Sequence, residues 1–225
     1  MTRIHDMGGR FGDGAVTPES ETDPIFEKEW HARALAVTLA CGSLGQWNLD
    51  ISRHARERLS PKDYARFSYY EKWMAGLANL LVENDVLTRD ELAAGRGTPG
   101  SSLADRKLKP DALAAALAKG GPADRPSDIA AQFKAGDMVL TRAAGNTQTP
   151  GGHTRLPVYA AGATGRVVRY HGTHILPDSN AHGHGEAAEP LYAVAFKAED
   201  LWLHPEHPKD EIILDLWQSY LDPAE

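Results

Sequence analysis

The chain has 225 residues, 42% hydrophobic and 24% charged, and its 31 Asp and Glu against 24 Lys and Arg give a formal net charge of −7. No apolar run approaches the roughly 18–20 residues of a membrane span, and the single cysteine, Cys41, excludes an internal disulfide or a cysteine-rich metal site. The acidity lies in the C-terminal part, where 7 Lys and Arg stand against 13 Asp and Glu from residue 126 onward; phosphate binding needs a basic surface, so nucleic acid is not an expected partner.

Met1-Thr2-Arg3-Ile4-His5-Asp6 has no apolar core of a signal peptide, and the expected compartment is the cytoplasm. Residues 1–25 carry Gly8, Gly9, Gly12, Gly14, Pro18 and Pro24 with little apolar content. Such an arm cannot bury enough surface to order itself, so it stays mobile or wraps a partner. Trp30, Ala34, Val37 and Cys41 recur at helical spacing and predict a helix over 26–41 with one apolar face. Cys41 on that face reads as a core thiol, because nothing nearby activates it. The run Leu49–Ala55, with Arg53, falls between helical segments. Ser60-Pro61-Lys62-Asp63 reads as an N-cap, a proline at the first helical position and an acid two residues on. Ser68-Tyr69-Tyr70-Glu71 is a capping box that opens a helix with Trp73, Leu77, Leu80 and Leu81 on one side. Thr88-Arg89-Asp90-Glu91 is another, before a short helix. Residues 93–102 read as a loop and 110–118 as a short Ala-rich helix stopped by Gly120-Gly121-Pro122. The stretch 119–130, with Pro122 and Pro126, reads as a linker.

The pattern then turns to period two. Met138–Thr141, Gly165–Tyr170, Leu191–Phe196 and Ile212–Leu216 read as short strands. Four or five such strands in about 90 residues suggest a small closed barrel of the SH3-like kind. The expected class is α+β, with an extended arm over 1–25, a helical domain over 26–125 and an SH3-like β-barrel domain over 126–225.

Within the barrel half, Gly152-His153-Thr154-Arg155-Leu156-Pro157-Val158-Tyr159 is too dense in Gly, His, Arg and Pro to be a packing pattern. It sets a permanently charged Arg155 beside a backbone bent by glycine, as recognition of an anion requires. His171, His174, His182 and His184 lie in or beside one long loop with Asp178 and Glu186, and the His-x-His spacing at 182 and 184 can ligate a metal. The loop is rich in Gly and Ala and shows no supporting residues, so packing is the better reading. No phosphate-binding glycine loop, nucleophile elbow or cysteine-protease signature is present. From spacing alone Arg53 is a solvated arginine, and Tyr69, Tyr70 and Trp73 are an aromatic group packed at a helix start.

Several motifs in order carry a family likeness: Ile4-His5-Asp6-Met7-Gly8-Gly9, Pro24-Ile25-Phe26-Glu27-Lys28-Glu29-Trp30, Arg53-His54-Ala55-Arg56-Glu57-Arg58, Ser68-Tyr69-Tyr70-Glu71-Lys72-Trp73, Phe133-Lys134-Ala135-Gly136-Asp137, Gly152-His153-Thr154-Arg155, His171-Gly172-Thr173-His174, Pro190-Leu191-Tyr192, Glu199-Asp200-Leu201-Trp202 and Asp215–Leu221. In this sequence of spacings the chain resembles the β subunit of nitrile hydratase nearly end to end, least so over 41–48 and 93–125. The resemblance implies hydration of nitriles to amides at a Lewis-acidic metal. That metal, non-corrin cobalt(III) or non-heme iron(III), belongs to a cysteine claw of the partner α subunit. The β chain holds none, works as an αβ or (αβ)2 assembly and is inactive alone. By motif position, Arg53 and Arg155 look like the two arginines that hydrogen-bond to the oxidised cysteine ligands in that family. Tyr69 matches a family tyrosine whose hydroxyl points into the site, Trp73 matches an aromatic wall residue and Leu49 an apolar position of the substrate pocket. Ser52 stands where some members carry an aromatic residue, which alters the pocket. The arm would wrap the α subunit, and the His-rich loop would serve the subunit interface. Thiocyanate hydrolase is a related alternative, but there the β-like sequence is split over two chains. A non-enzymatic SH3-like activator or metallochaperone-like partner protein resembles only the barrel half.

Overall fold

The computed structural model describes residues 5, 17–146 and 148–224. The signature Ile4–Gly9, apart from His5, and most of the expected arm lie outside the described residues. Residues 17–25 are exposed and belong to no helix or strand. The chain divides into two compact units, with the boundary between Gly121 and Pro122. No described helix is long and apolar enough to cross a membrane. The fold is α+β as expected, helical up to the boundary and dominated by an antiparallel sheet after it.

In the helical unit α1 spans Glu29–Gly42, α2 Leu49–Glu57, α3 Pro61–Arg66, α4 Tyr69–Glu83, α5 Arg89–Ala94 and α6 Leu113–Lys119. Local chemistry sets most of these starts. Ser60 accepts from the Asp63 backbone N–H, and Pro61 occupies the first helical position of α3. Both capping boxes form, Ser68 with Glu71 and Thr88 with Glu91. Leu49–Ala55 is not a connection but the body of α2. The signal was Asn48, whose side chain accepts the Ile51 N–H at 2.9 Å, with Asp50 in the positive first turn. Leu77, Leu80 and Leu81 of α4 are buried together with Ala55 and Leu59. The face expected on α1 is only partly covered: Ala34 is buried, Cys41 half-buried, and Trp30 and Val37 remain exposed. The helix is apolar on a second side as well, where Ala32, Leu35, Ala36 and Leu39 line a groove with Leu108 and Leu113.

In the second unit β1 (Met138–Thr141), β2 (Thr164–His174), β3 (Glu189–Lys197), β4 (Glu211–Trp217) and β5 (Leu221–Pro223) form one antiparallel sheet in the order β4-β3-β2-β1-β5. β3 is buried at every position from Glu189 to Phe196, so its continuous apolar run marks a strand covered on both faces rather than an alternating one. Val139, Val167, Tyr192, Val194, Phe196, Leu216 and Leu221 form the core. β2 runs four residues past its expected end, through register shifts between Val167/Arg169 and Tyr170/Thr173, and takes His171 and His174 out of the loop where they were expected. Short helices α7 (Pro177–Asn180) and α8 (Ala198–Leu201) were not expected. The linker over 119–130 is also corrected. From Ala123 on it is stitched to β2: Ile175 donates to Ala123 at 2.9 Å, Arg125 donates to Thr173 at 3.0 Å, and Asp124 bridges His174. Backbone polar groups beside a strand are satisfied best by joining it.

Candidate functional site

The helical unit gathers most of the expected site residues on α2 and α4, which pack together. Gly76 makes the approach possible: a Cβ there would lie 2.8 Å from Arg56 Cγ and 3.3 Å from the Arg56 backbone nitrogen. Ser52, Arg56, Trp73 and Leu77 line one small hollow with Thr38. The Tyr69 and Trp73 rings lie 5.5 Å apart, and Tyr70 stands 6.0 Å from Trp73 and 4.7 Å from His31. Tyr69 and Leu49 are 63% and 61% exposed, a high value for an aromatic and a leucine. Tyr69 and Trp73 thus form an open aromatic wall, whereas Tyr70 packs inward against His31.

Arg53 sits on α2, donating to Asp50 Oδ1 at 3.0 Å with its side chain 40% exposed. The buried Asp50 steadies one arm of the guanidinium, and the planar fork retains further donors. Arg56 was missed by sequence reasoning except as part of a motif. Its guanidinium lies 4.6 Å over the Trp73 ring, and its Nε donates to the Ser52 carbonyl at 3.1 Å. Burial pulls its pKa below the ordinary value, opposed by the nearby Tyr69. The signal was its place one helical turn after Ser52 and Arg53.

Arg155 belongs to the sheet unit. It is exposed, with no carboxylate in ion-pair range among the described residues. Its backbone, by contrast, is held by buried groups. The Arg155 N–H donates to the Tyr220 hydroxyl at 3.2 Å, and that hydroxyl donates in turn to Asp178. Burial raises the Asp178 carboxyl, while bonds from Tyr220 and Thr154 pull it down. Burial and the neighbouring Asp178 push the Tyr220 hydroxyl far above its ordinary range, so it stays a neutral donor. Asn146 Nδ2 donates to the carbonyls of His153 at 2.6 Å and Asp178 at 2.8 Å. The loop around 178–184 therefore has the support that its composition concealed. Its four histidines part company: His171 meets Asp215 at 3.0 Å, His174 sits at the end of β2, His182 accepts from the His153 backbone, and His184 approaches Thr149.

The donors do not fit a thiolate-rich metal site within this chain. Cys41 is alone, and burial raises its thiol above the ordinary value, which keeps it protonated. Within the helical unit Arg53 and Arg56 lie on the helix that packs against Tyr69 and Trp73, and within the sheet unit Arg155 leaves a backbone held by buried groups. Residues 1–118 match the family described as nitrile hydratase beta subunit, N-terminal, and residues 122–223 match nitrile hydratase beta subunit, C-terminal. The low-molecular weight cobalt-containing nitrile hydratase subunit beta of Rhodococcus rhodochrous is 36% identical over 232 residues, covering 100% of both chains. The nitrile hydratase subunit beta of Pseudomonas putida is 36% identical over 225 residues, again 100% of both. The cobalt-containing subunit of Pseudonocardia thermophila is 32% identical, covering 99% of this chain and 96% of its own. Among solved structures, a recombinant apo-enzyme of thiocyanate hydrolase from Thiobacillus thioparus matches with a TM-score of 0.38 and 24% identity, over 52% of this chain and 98% of that one. The chain belongs to the nitrile hydratase β-subunit family.

Proposed function

We propose that the chain is the β subunit of a nitrile hydratase that hydrates nitriles to amides together with an α subunit, as an αβ or (αβ)2 assembly. The metal, cobalt in the reading favoured by the cobalt-containing relatives or otherwise iron, belongs to the α subunit and supplies Lewis-acid activation of the nitrile. The role of this chain is to hold and orient. Arg53 and Arg155 donate planar pairs of N–H groups to anionic oxygens of the partner's oxidised cysteine ligands, which a lysine cannot do with the same geometry. Tyr69 offers its hydroxyl to the reacting group, and Leu49, Ser52 and Trp73 shape the pocket beside it. The arm over 1–25 wraps the α subunit, and the strand order, with a 3-10 turn leading into the last strand, fits an SH3-like barrel. The observation that carries this reading is Arg155, an exposed guanidinium without a carboxylate partner among the described residues, on a backbone fixed by buried hydrogen bonds. A barrel-only activator or metallochaperone-like protein leaves the family match over residues 1–118 without explanation.

Co-expression with the α subunit tests the proposal. The complex is expected to form amides with metal bound to the α chain, and the isolated β chain to form none. Arg155→Lys should assemble normally but lose about 10- to 100-fold in kcat, as expected for losing about 1.5–3 kcal/mol of charged hydrogen bonding. Full activity of that variant would remove Arg155 from the site.

A further inference from the structure

The His-x-His pair at 182 and 184 carries a different role from the metal ligation its spacing suggested. His182 Nε2 accepts the backbone N–H of His153 at 2.9 Å. The ring is seated against the chain so closely that a Cβ at Gly152 would fall 2.5 Å from the same nitrogen. His153 is fully buried, and its carbonyl is taken by Asn146 Nδ2 at 2.6 Å. His153 is thus clamped on both sides, its N–H by His182 and its C=O by Asn146. Two residues later the Arg155 N–H is taken by Tyr220. The backbone from Gly152 to Arg155 is held by these three bonds together with that of the Gly152 N–H to the Thr149 carbonyl at 2.7 Å, and His182 makes the first of the three.

We propose that His182 is a positioning residue for Arg155. Its imidazole is neutral with the proton on Nδ1, because only an unprotonated Nε2 can accept an N–H. That lone pair fixes the His153 peptide and, through it, the direction in which the Arg155 guanidinium leaves the loop. Gly152 is required because any side chain there would displace the ring. The proposal rests on Arg155 acting as an anion-holding group in the assembled enzyme. Misplacing such a group by about an ångström costs on the order of a hundredfold in rate.

The test uses the complex co-expressed with the α subunit. In His182→Gln the amide oxygen can take the place of Nε2, whereas His182→Leu removes the acceptor. His182→Leu should lower kcat about 10- to 100-fold with KM changed less than about threefold and metal content per complex unchanged. The His153 amide should exchange its hydrogen faster in this variant, and His182→Gln should recover most of both. If His182→Leu fails to assemble, His182→Asn, whose oxygen stops short of the His153 N–H, is compared with His182→Gln and should be the slower. Wild-type kcat and exchange in His182→Leu, or no advantage of Gln over Leu or Asn, would overturn the proposal. Loss of activity in Arg155→Lys beside an unaffected His182→Leu would reject the role of His182 alone. Full activity in Arg155→Lys would reject the underlying reading instead, and the exchange of the His153 amide would still report the bond.

Discussion

The Tyr220 hydroxyl works on two sides, donating to Asp178 and accepting from the Arg155 N–H at 3.2 Å. Removing one oxygen therefore takes a partner from two groups, the buried Asp178 carboxyl and the part-buried Arg155 N–H. Tyr220→Phe keeps the ring but leaves the Asp178 carboxylate and the Arg155 N–H without that partner, at a cost of roughly 1–3 kcal/mol. Chemical denaturation of the variant should show this loss at unchanged m-value; a stability equal to the parent would mean that water replaces the hydroxyl at once. None of this was legible in the sequence. Asp178 followed Ile175, Leu176 and Pro177 in what read as a soft loop, and Tyr220 sat near the C-terminus as one aromatic among several. Sequence spacing reports neighbours along the chain, whereas this network joins residues 42 apart. The arginines fared differently. Arg53 and Arg155 were named only through family motifs, and what the residues alone supplied was permanent charge and, at Arg155, bent backbone.

At the scale of the element, helix starts were the most legible features because their causes are local. Ser60, Ser68 and Thr88 cap as their motifs require, and only Asn48, without an acid three residues on, escaped notice. Glu91 shows how strong such a cap can be. Its carboxylate accepts from the Thr88 N–H at 2.8 Å and from the Thr98 N–H, and these bonds, first that of Thr88, lower its pKa from the ordinary 4.5 to about 2. A depressed carboxyl stabilises the fold above its unfolded pKa and stops doing so as pH falls through the folded one. The stability difference between the parent and Glu91→Gln should therefore be full above pH 4.5 and vanish toward pH 2. A pH-independent difference in thermal midpoint would show that the charge is irrelevant. Packing between elements is less legible, and Gly76 is the example. In sequence it is a glycine weakening a helix, but in the fold it is where α2 crosses α4. Gly76→Ala gains about 1 kcal/mol of helix propensity. It must also push back the Arg56 Cγ and backbone, and such overpacking costs about 1–3 kcal/mol. The second effect wins because a backbone atom cannot rotate away. The variant should be destabilised in urea and should lose the Arg56–Trp73 stack; a more stable variant would show that the helices separate freely.

At the scale of the molecule, the division into a helical part and a strand part was visible as a change of period, since 3.6 and 2 leave different marks. The junction was not placed as well. The stretch after Gly121 reads as a linker by its prolines, yet from Ala123 its backbone pairs with β2, and proline content reports only where a helix cannot continue. The exposed residues 17–25 pose the complementary case. They carry Ile25, which is 92% exposed, and lead from the glycine-rich start into α1. An apolar side chain left uncovered among the described residues is suited to cover from a partner, and ordering such a segment on binding costs entropy that its contacts must exceed. If the arm wraps the α subunit, deleting residues 1–20 should leave each chain folded while weakening their association at least tenfold, about 1.4 kcal/mol. Sedimentation of the co-expressed complex over a dilution series measures this directly. The truncated complex should come apart at concentrations where the full-length one stays together, with unchanged circular dichroism of the separated β chain. Equal dissociation of the two would mean that the helical and sheet units make the interface unaided, and that the glycines and prolines of the start serve no partner.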